Sequence, residues 1–399
     1  MTKQTSDRST SARRDAPAWA AVVSLMLGVF GLVGAEFLPA SLLTPMAADL
    51  GISEAVAGQA VSITAMFAFA ASLLVASVTR RFDRRNVLLG QSVLLIVSSL
   101  LVAFAPGFAW LLLGRALLGL AIGSFWAMST AIVMRLVPEH RVPRGLAIMT
   151  SGVAAATIFA APAGSYLGAA IGWRNVFLLA AALGVLVLVV QLFTLPRMAP
   201  QGHADLRTLA EVFRRPGVAV GLLAVFLVFA GHFTLFTYVR PYLEQVTGLA
   251  VTGVSAVLLG FGIANYAGTW LGGVMMERNG RLTLALMPLV MGIAGLALAG
   301  VQTSFTLATV LVAVWGLTFG TVPVAWSTWV SRSVPDQAET GGGLLVATIQ
   351  MAITAGAGAG GMVLSVGSVG SAFGAGGLVL LLGAAFIAFG LRGRQAVAA

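Results

Sequence analysis

No cysteine occurs anywhere in the 399 residues. Disulfides, thiolate chemistry and Cys-ligated metal sites are therefore excluded, and the absence is neutral on compartment. Charge is almost as scarce, at 9% of the chain, against roughly 25% in a soluble globular domain. That deficit cannot furnish a water-facing surface, so lipid must be the solvent for most of the molecule. No nucleotide-binding motif is present. The Gly-x-Gly runs around Gly356, Gly358, Gly360 and Gly361 follow no soluble strand and precede no Lys-Ser/Thr pair, so they are not phosphate loops. Energy for any vectorial work must come from ion or substrate gradients. No HExxH, no paired intramembrane acids and no nucleophile–base pairing appear either, which leaves a membrane-embedded enzyme without chemistry.

Apolar residues make up 59% of the chain, and glycine is abundant at 48, as close helix packing in lipid favours. A spanning helix needs about 20 apolar residues. Short polar breaks cut the sequence into stretches of that length, predicting helices near 17–46, 55–79, 86–104, 109–134, 145–169, 175–195, 218–239, 249–276, 282–300, 304–330, 341–366 and 371–391. The polar, basic residues 1–16 read as a disordered tail. No apolar h-region precedes the first span, so no removable signal peptide is expected.

The net charge of +10 and pI near 11.4 would suggest nucleic acid in a soluble protein. Here the arginines lie in short loops and serve topology. With the N-terminus placed in the cytoplasm, 20 of the 23 Lys and Arg fall on that side; Arg174 and Arg240 fall opposite and Arg115 lies within a span. The bias predicts cytoplasmic termini and an even number of spans.

The sequence also repeats itself. A shift of 197 residues places Gly51 on Gly248, Gly119 and Gly123 on Gly316 and Gly320, and Arg135-Leu-Val-Pro-Glu139 on Arg332-Ser-Val-Pro-Asp336. The shift is six spans long, so the repeats run parallel about an axis along the membrane normal, with a binding site expected near the midplane between them. The expected fold is an all-α membrane protein of twelve helices in two pseudo-symmetric six-helix bundles, 17–195 and 218–391. A cytoplasmic linker, 196–217, joins them, and 392–399 form a short tail.

Gly273-Val-Met-Met-Glu277-Arg278-Asn279-Gly280-Arg281 resembles the G-x-x-x-[DE]-R-x-G-R loop of the major facilitator superfamily. In the first half the loop is degenerate: Ala76 replaces the glycine, Arg80 the acid and Asp83 the inner glycine, while Arg81, Arg84 and Arg85 keep the charge. The resemblance implies a conformational latch at Asp83, Arg84, Glu277, Arg278 and Arg281, with Asp83 standing in for the missing acid. Gly114-Arg115 with Gly119 and Gly123 resembles the R-x-x-x-G-x-x-x-G element of the family, and Ala161-Pro162-Ala163-Gly164 an element associated with antiporters. Glu36-Phe-Leu-Pro39, Leu43-Thr-Pro-Met46, Gly123-Ser-Phe-Trp-Ala-Met-Ser129, Ile171-Gly-Trp-Arg-Asn-Val-Phe177 and Val322-Pro-Val-Ala-Trp-Ser-Thr-Trp329 narrow the likeness. They resemble bacterial purine ribonucleoside efflux permeases of the drug:proton antiporter group. The resemblance implies proton-coupled export by alternating access, with sugar or multidrug efflux as the rival substrate classes. A receptor without turnover is the rival of another class.

Of the 13 acids only Glu36 lies deep in a span, 17 residues after Trp19, or roughly 25 Å along the helix. A charged carboxylate at that depth is costly, and an ionisable group in a span is functional by default. It suits a proton carrier, protonated facing one side and released facing the other; the alternative is a neutral carboxyl donating a structural hydrogen bond. Arg115, the one cation deep in a span, needs a carboxylate or exposed carbonyls as acceptor. It either couples to Glu36 or ties two helices together. His232 can titrate near neutrality and is either a second proton site or a satisfied packing histidine. Arg240 and Tyr238 are weaker candidates, Arg240 being expected at the interface. A nucleoside offers a flat base and hydroxyls, which suits Trp126, Asn265, Tyr266, Trp326 and Gln350; Gln59 and Trp329 rank lower. The expected partners are a small-molecule substrate, protons and lipid. No nucleic acid, cofactor or metal is expected, and the chain is expected to act as a monomer.

Overall fold

The protein is described by a computed structural model covering residues 18–79, 81–199, 206–300 and 305–390. The tail 1–16, Arg80 and the segment 392–399 lie outside the described residues. Every regular element among those described is helical. Eleven helices are long and apolar enough to cross a membrane: α1 (Trp19–Leu50), α2 (Glu54–Val78), α3 (Arg84–Ala103), α4 (Phe108–Leu136), α5 (Val142–Ile171), α6 (Trp173–Thr194), α7 (Val218–Phe236, continued as Val239–Gln245), α8 (Val251–Gly300), α9 (Phe305–Ser333), α10 (Ala338–Val366) and α11 (Val369–Gly390). A short helix, Leu206–Phe213, stands between α6 and α7.

The break expected at 277–281 is seen as a kink: the 50-residue stretch Val251–Gly300 leaves helical geometry at Asn279 (φ −156°, ψ 87°). One element differs from the sequence-based expectation. The span expected to end at 239 breaks instead at Thr237–Tyr238 and resumes to Gln245. Arg240 therefore sits in the helical segment that ends this span.

The repeat is visible in the packing. Helix α1 ends on Gly51 at φ 64°, and the matching turn holds Gly248 at φ 66°. Both adopt the left-handed conformation that glycine alone enters without steric cost. On α4, Gly119 and Gly123 lie against the backbone carbonyls of Thr64 and Ala68 on α2. On α9, Gly316 and Gly320 lie against those of Phe261 and Asn265 on α8. The shift of 197 relates all four glycines and all four carbonyls, so the two crossings are one contact built twice.

The first half packs around Leu25, Val29, Leu118 and Ile122, and the second around Phe229, Met291, Trp315 and Phe373, in a cluster that also takes in Ala40, Val61, Ala65 and Ala161 of the first half. Side-chain hydrogen bonds that cross from one half to the other include Arg240 to the Ser41 carbonyl, Gln245 to Glu54, and Thr354 to the Ser62 carbonyl. These three lie toward the end of the molecule that carries Gly51 and Gly248. At the opposite end Arg215, two residues beyond the short helix, pairs with the turn before α10. Its guanidinium donates to both carboxylate oxygens of Asp336 at 2.7 Å and holds that carboxyl below its ordinary range.

Candidate functional site

Helix α1 carries Pro39 inside it. Proline has no N–H, so the carbonyl four residues earlier, on Ala35, loses its helical donor. Arg115 supplies the replacement. Its guanidinium is fully buried and donates to Ala35 O at 2.7 Å, Glu36 O at 3.1 Å and Ala60 O at 3.3 Å. Of the two acceptors expected for this cation, the structure provides carbonyls. Arg115 therefore binds α4 to α1 and α2, and it fixes the peptide that carries Glu36.

The Glu36 side chain is buried, and its Oε1 has no hydrogen-bond partner. Facing the carboxyl from the other half is the amide of Gln350 on α10, whose own Oε1 is also buried and unpartnered. Ser62 on α2 adds a third buried oxygen without a partner, beside the Thr354 hydroxyl at the same seam. Gly358 of α10 looks onto Ser62 and Gln59, while Gly356 and Gly360 lie against α7 at Ala230 and Tyr238. The glycines thus let α10 approach helices of both halves closely, as expected. Buried polar atoms are nearly always paired, so these oxygens are acceptors open to hydrogen-bond donors.

The other expected residues are distributed differently. His232 accepts a hydrogen bond at Nδ1 from Trp315 Nε1 at 3.0 Å, and its ring stacks on Phe319 with an interplanar angle of 4°. Acceptance at Nδ1 belongs to neutral imidazole, and this supports the packing alternative. Trp326 is fully buried in the second half, edge-on to Trp329. Asn265 is buried where Gly320 crosses its carbonyl. Tyr266 is 57% exposed, on the same exposed stripe of α8 as Ile263 and Trp270. Trp126 is half-buried on α4, and Thr130 and Met134, four and eight residues on, are exposed, so that face leads away from the packed core. Arg240 is only 4% exposed. Its Nε donates to Glu244 at 2.8 Å and its Nη1 to the Ser41 carbonyl.

The latch residues find backbone as well as charged partners. Asp83 caps α3 by accepting from the Arg85 N–H at 2.8 Å, and it accepts from the Met198 N–H at 3.0 Å. Partial burial pushes its carboxyl up, but those two backbone donors, helped by Arg135 and Arg197, outweigh burial and hold it below its ordinary range. Arg84 donates to Thr79 Oγ1 at 2.8 Å and Arg135 to Ala199 O at 2.9 Å. The loop after α2 is therefore fastened to the stretch leaving α6. Glu277 and Arg278 are exposed, and Arg281 donates to Ala388 O at 3.1 Å. Among the described residues no group of His, Asp and Glu could hold a metal ion.

Comparison with known proteins places this arrangement. A family model described as Major Facilitator Superfamily matches residues 25–347. The purine ribonucleoside efflux pump NepI of Shigella sonnei is 47% identical over 348 residues, 87% of this chain and 88% of the relative. The pump of the same name from Escherichia coli K12 gives the same figures, and that from Salmonella paratyphi B is 46% identical. Among solved structures, a bacterial homolog to the human lysosomal transporter Spinster, in an inward-facing and occupied conformation, superposes with a TM-score of 0.76. It covers 94% of this chain and 96% of its own at 16% identity. The human organic anion transporter MFSD10 covers 94% and 99% with a TM-score of 0.68 at 17% identity.

Proposed function

The chain belongs to the major facilitator superfamily, and from that premise we propose that it exports purine ribonucleosides across a bacterial inner membrane in exchange for protons. It is a transporter rather than an enzyme. The close likeness to purine ribonucleoside efflux pumps supports the substrate class. The observation that carries the coupling is the pair of unpartnered oxygens on Glu36 and Gln350, one from each half, buried where the halves meet.

The chemistry follows from acceptor count. An ionised Glu36 accepts hydrogen bonds on both oxygens, and a protonated one must donate. Ribose hydroxyls and the base N–H groups are donors, so nucleoside and proton compete for the same oxygens. Competition at one site is sufficient for exchange: the site carries a nucleoside outward with Glu36 ionised and returns with Glu36 protonated. Gln350 supplies one acceptor and two donors for the base or ribose. Trp126, on the open face of α4, offers the base a ring to stack on. Arg115 holds the site in register through the Ala35 and Glu36 carbonyls.

The architecture supports alternating access between two six-helix bundles. The 50 residues of α8 span about 75 Å as helix, more than twice the hydrocarbon thickness. Read as two crossings bent at Asn279, α8 brings the spans to twelve, with both termini cytoplasmic. The end carrying Gly51 and Gly248 is then the outer end, and the seam closed there makes this an inward-open state.

The test is transport into proteoliposomes with an imposed pH gradient, using a labelled purine ribonucleoside beside a hexose and a cationic dye. Protons leaving the lumen should drive the nucleoside inward against its gradient, while the other two stay at equilibrium. A gradient that moves the dye or the hexose but not the nucleoside overturns the substrate class. Failure of all three overturns the coupling.

A further inference from the structure

Helix α1 has a second proline, Pro45. The carbonyl it deprives of a donor, four residues back, is that of Ser41. Its substitute donor is Nη1 of Arg240. One device thus occurs twice in a single helix: a proline frees a carbonyl, and a buried arginine caps it. The consequences differ because the arginines have different owners. Arg115 belongs to the same half as α1, so its bond persists whatever the halves do. Arg240 belongs to the other half, so its bond exists only while the seam is closed at this end.

The surroundings leave the Ser41 carbonyl and Arg240 dependent on each other. The Ser41 hydroxyl is already committed to Leu38 O at 2.9 Å and lies against Gly164. Arg240 is anchored on its own side by Glu244, whose Oε2 is buried without a partner. Nearby, Gln245 donates to Glu54 Oε2 at 2.8 Å, and the Tyr238 ring fills the space left by the missing side chain of Gly58.

We propose that Arg240 is the bolt of the outer gate, and that Pro45 creates the socket by freeing the Ser41 carbonyl. Opening strands a guanidinium N–H and a carbonyl together, and a buried polar group without a partner is destabilising. Water must enter before the gate can part. The bolt sets the balance between the two end states without touching the substrate. The inference rests on the alternating-access reading, which the proteoliposome assay tests with Arg240 and Pro45 unaltered.

Because the chain has no cysteine, a single introduced one is its only thiol. Ser62 lies buried at the seam, so Ser62→Cys reports opening from outside when a membrane-impermeant maleimide is added to intact cells. Arg240→Gln in that background should speed labelling about tenfold, equivalent to about 1.4 kcal/mol. Pro45→Ala restores an N–H beneath the Ser41 carbonyl and keeps every buried side chain, so it serves where Arg240→Gln fails to accumulate. It should speed labelling about threefold. Unchanged labelling in both variants overturns the bolt. Faster labelling in Arg240→Gln with none in Pro45→Ala overturns the socket and with it the proposal as stated.

Discussion

A buried polar atom without a partner costs on the order of 1–3 kcal/mol, and Glu36 and Gln350 each hold one such oxygen at the seam. Selection for stability alone would remove them, which is why their substitution should separate stability from transport. Glu36→Gln keeps shape and hydrogen-bonding capacity but cannot ionise. It should abolish nucleoside movement driven by a pH gradient and leave equilibrium binding weakened but measurable by calorimetry. Retained uphill transport in that variant would move the proton site elsewhere. Gln350→Leu removes the unpaired Oε1 together with the amide that faces Glu36. The melting temperature should hold or rise, while nucleoside affinity falls about tenfold, the worth of one hydrogen bond near 1.4 kcal/mol. A variant that loses stability and keeps affinity would make Gln350 a packing residue.

At the scale of the elements, the helix crossings are set where glycine meets backbone. A Cβ on Gly123 or Gly320 would collide with the carbonyl of Ala68 or Asn265, and backbone cannot swing aside as a side chain can. Gly123→Ala and Gly320→Ala should each destabilise by about 1–3 kcal/mol through overpacking, read as a lower melting temperature in detergent. Gly90 on α3 has open space around its missing side chain, so Gly90→Ala should be neutral or stabilising by as much as about 1 kcal/mol. Equal losses at all three positions would mean that packing at the crossings is not what matters. Asp83 makes a different kind of joint. Losing a cap costs about 0.5–2 kcal/mol, so Asp83→Ala should destabilise at neutral pH. The folded carboxyl is held below its ordinary value, so its contribution is present above about pH 4 and vanishes as pH falls through the lower folded value. The gap between the two proteins should therefore be constant from about pH 8 to 5 and close only below about 4.

These elements also show what the sequence could convey. Hydropathy locates a residue along a span, and Glu36 and Arg115 stand out because a charge at that depth is rare whichever way it faces. The glycine pairs stand out because the repeat copies them. The direction a side chain faces is set by packing. Trp326 and Asn265 were candidates on the same grounds as Gln350, polarity at mid-span, yet one lies in the core and the other at a helix crossing. His232 could titrate on composition alone; the aromatic rings that enclose it arrive from α7 and α9. The helix that carries Arg240 breaks at Thr237–Tyr238 and resumes, four residues before Pro241, a proline that leaves the Thr237 carbonyl without its helical donor. The partner of Arg240 is signalled by Pro45, which frees a carbonyl that some donor must satisfy.

For the whole molecule the open quantity is parity. Among the described residues eleven helices qualify as spans, and an odd number of crossings would put the termini on opposite sides. One 50-residue helix decides the matter. If α8 crossed once, roughly 45 Å of apolar helix would stand in water, although its residues beyond Asn279, such as Leu284, Met287 and Met291, are buried in the core of the second half. A single crossing would also carry Arg332 and Asp336 to the outer side, while Arg215, which grips Asp336, belongs to the segment before α7. Two crossings keep that ion pair on one side and satisfy the bias of positive charge toward the cytoplasm. A fluorescent protein fused after Ala399 should therefore mature and shine, and alkaline phosphatase fused there should stay inactive. Phosphatase inserted at Gly248 should be active. An active C-terminal phosphatase would make the spans odd in number, break the six-plus-six repeat as a unit of membrane crossing, and remove the frame in which the seam between the halves can act as an outer gate.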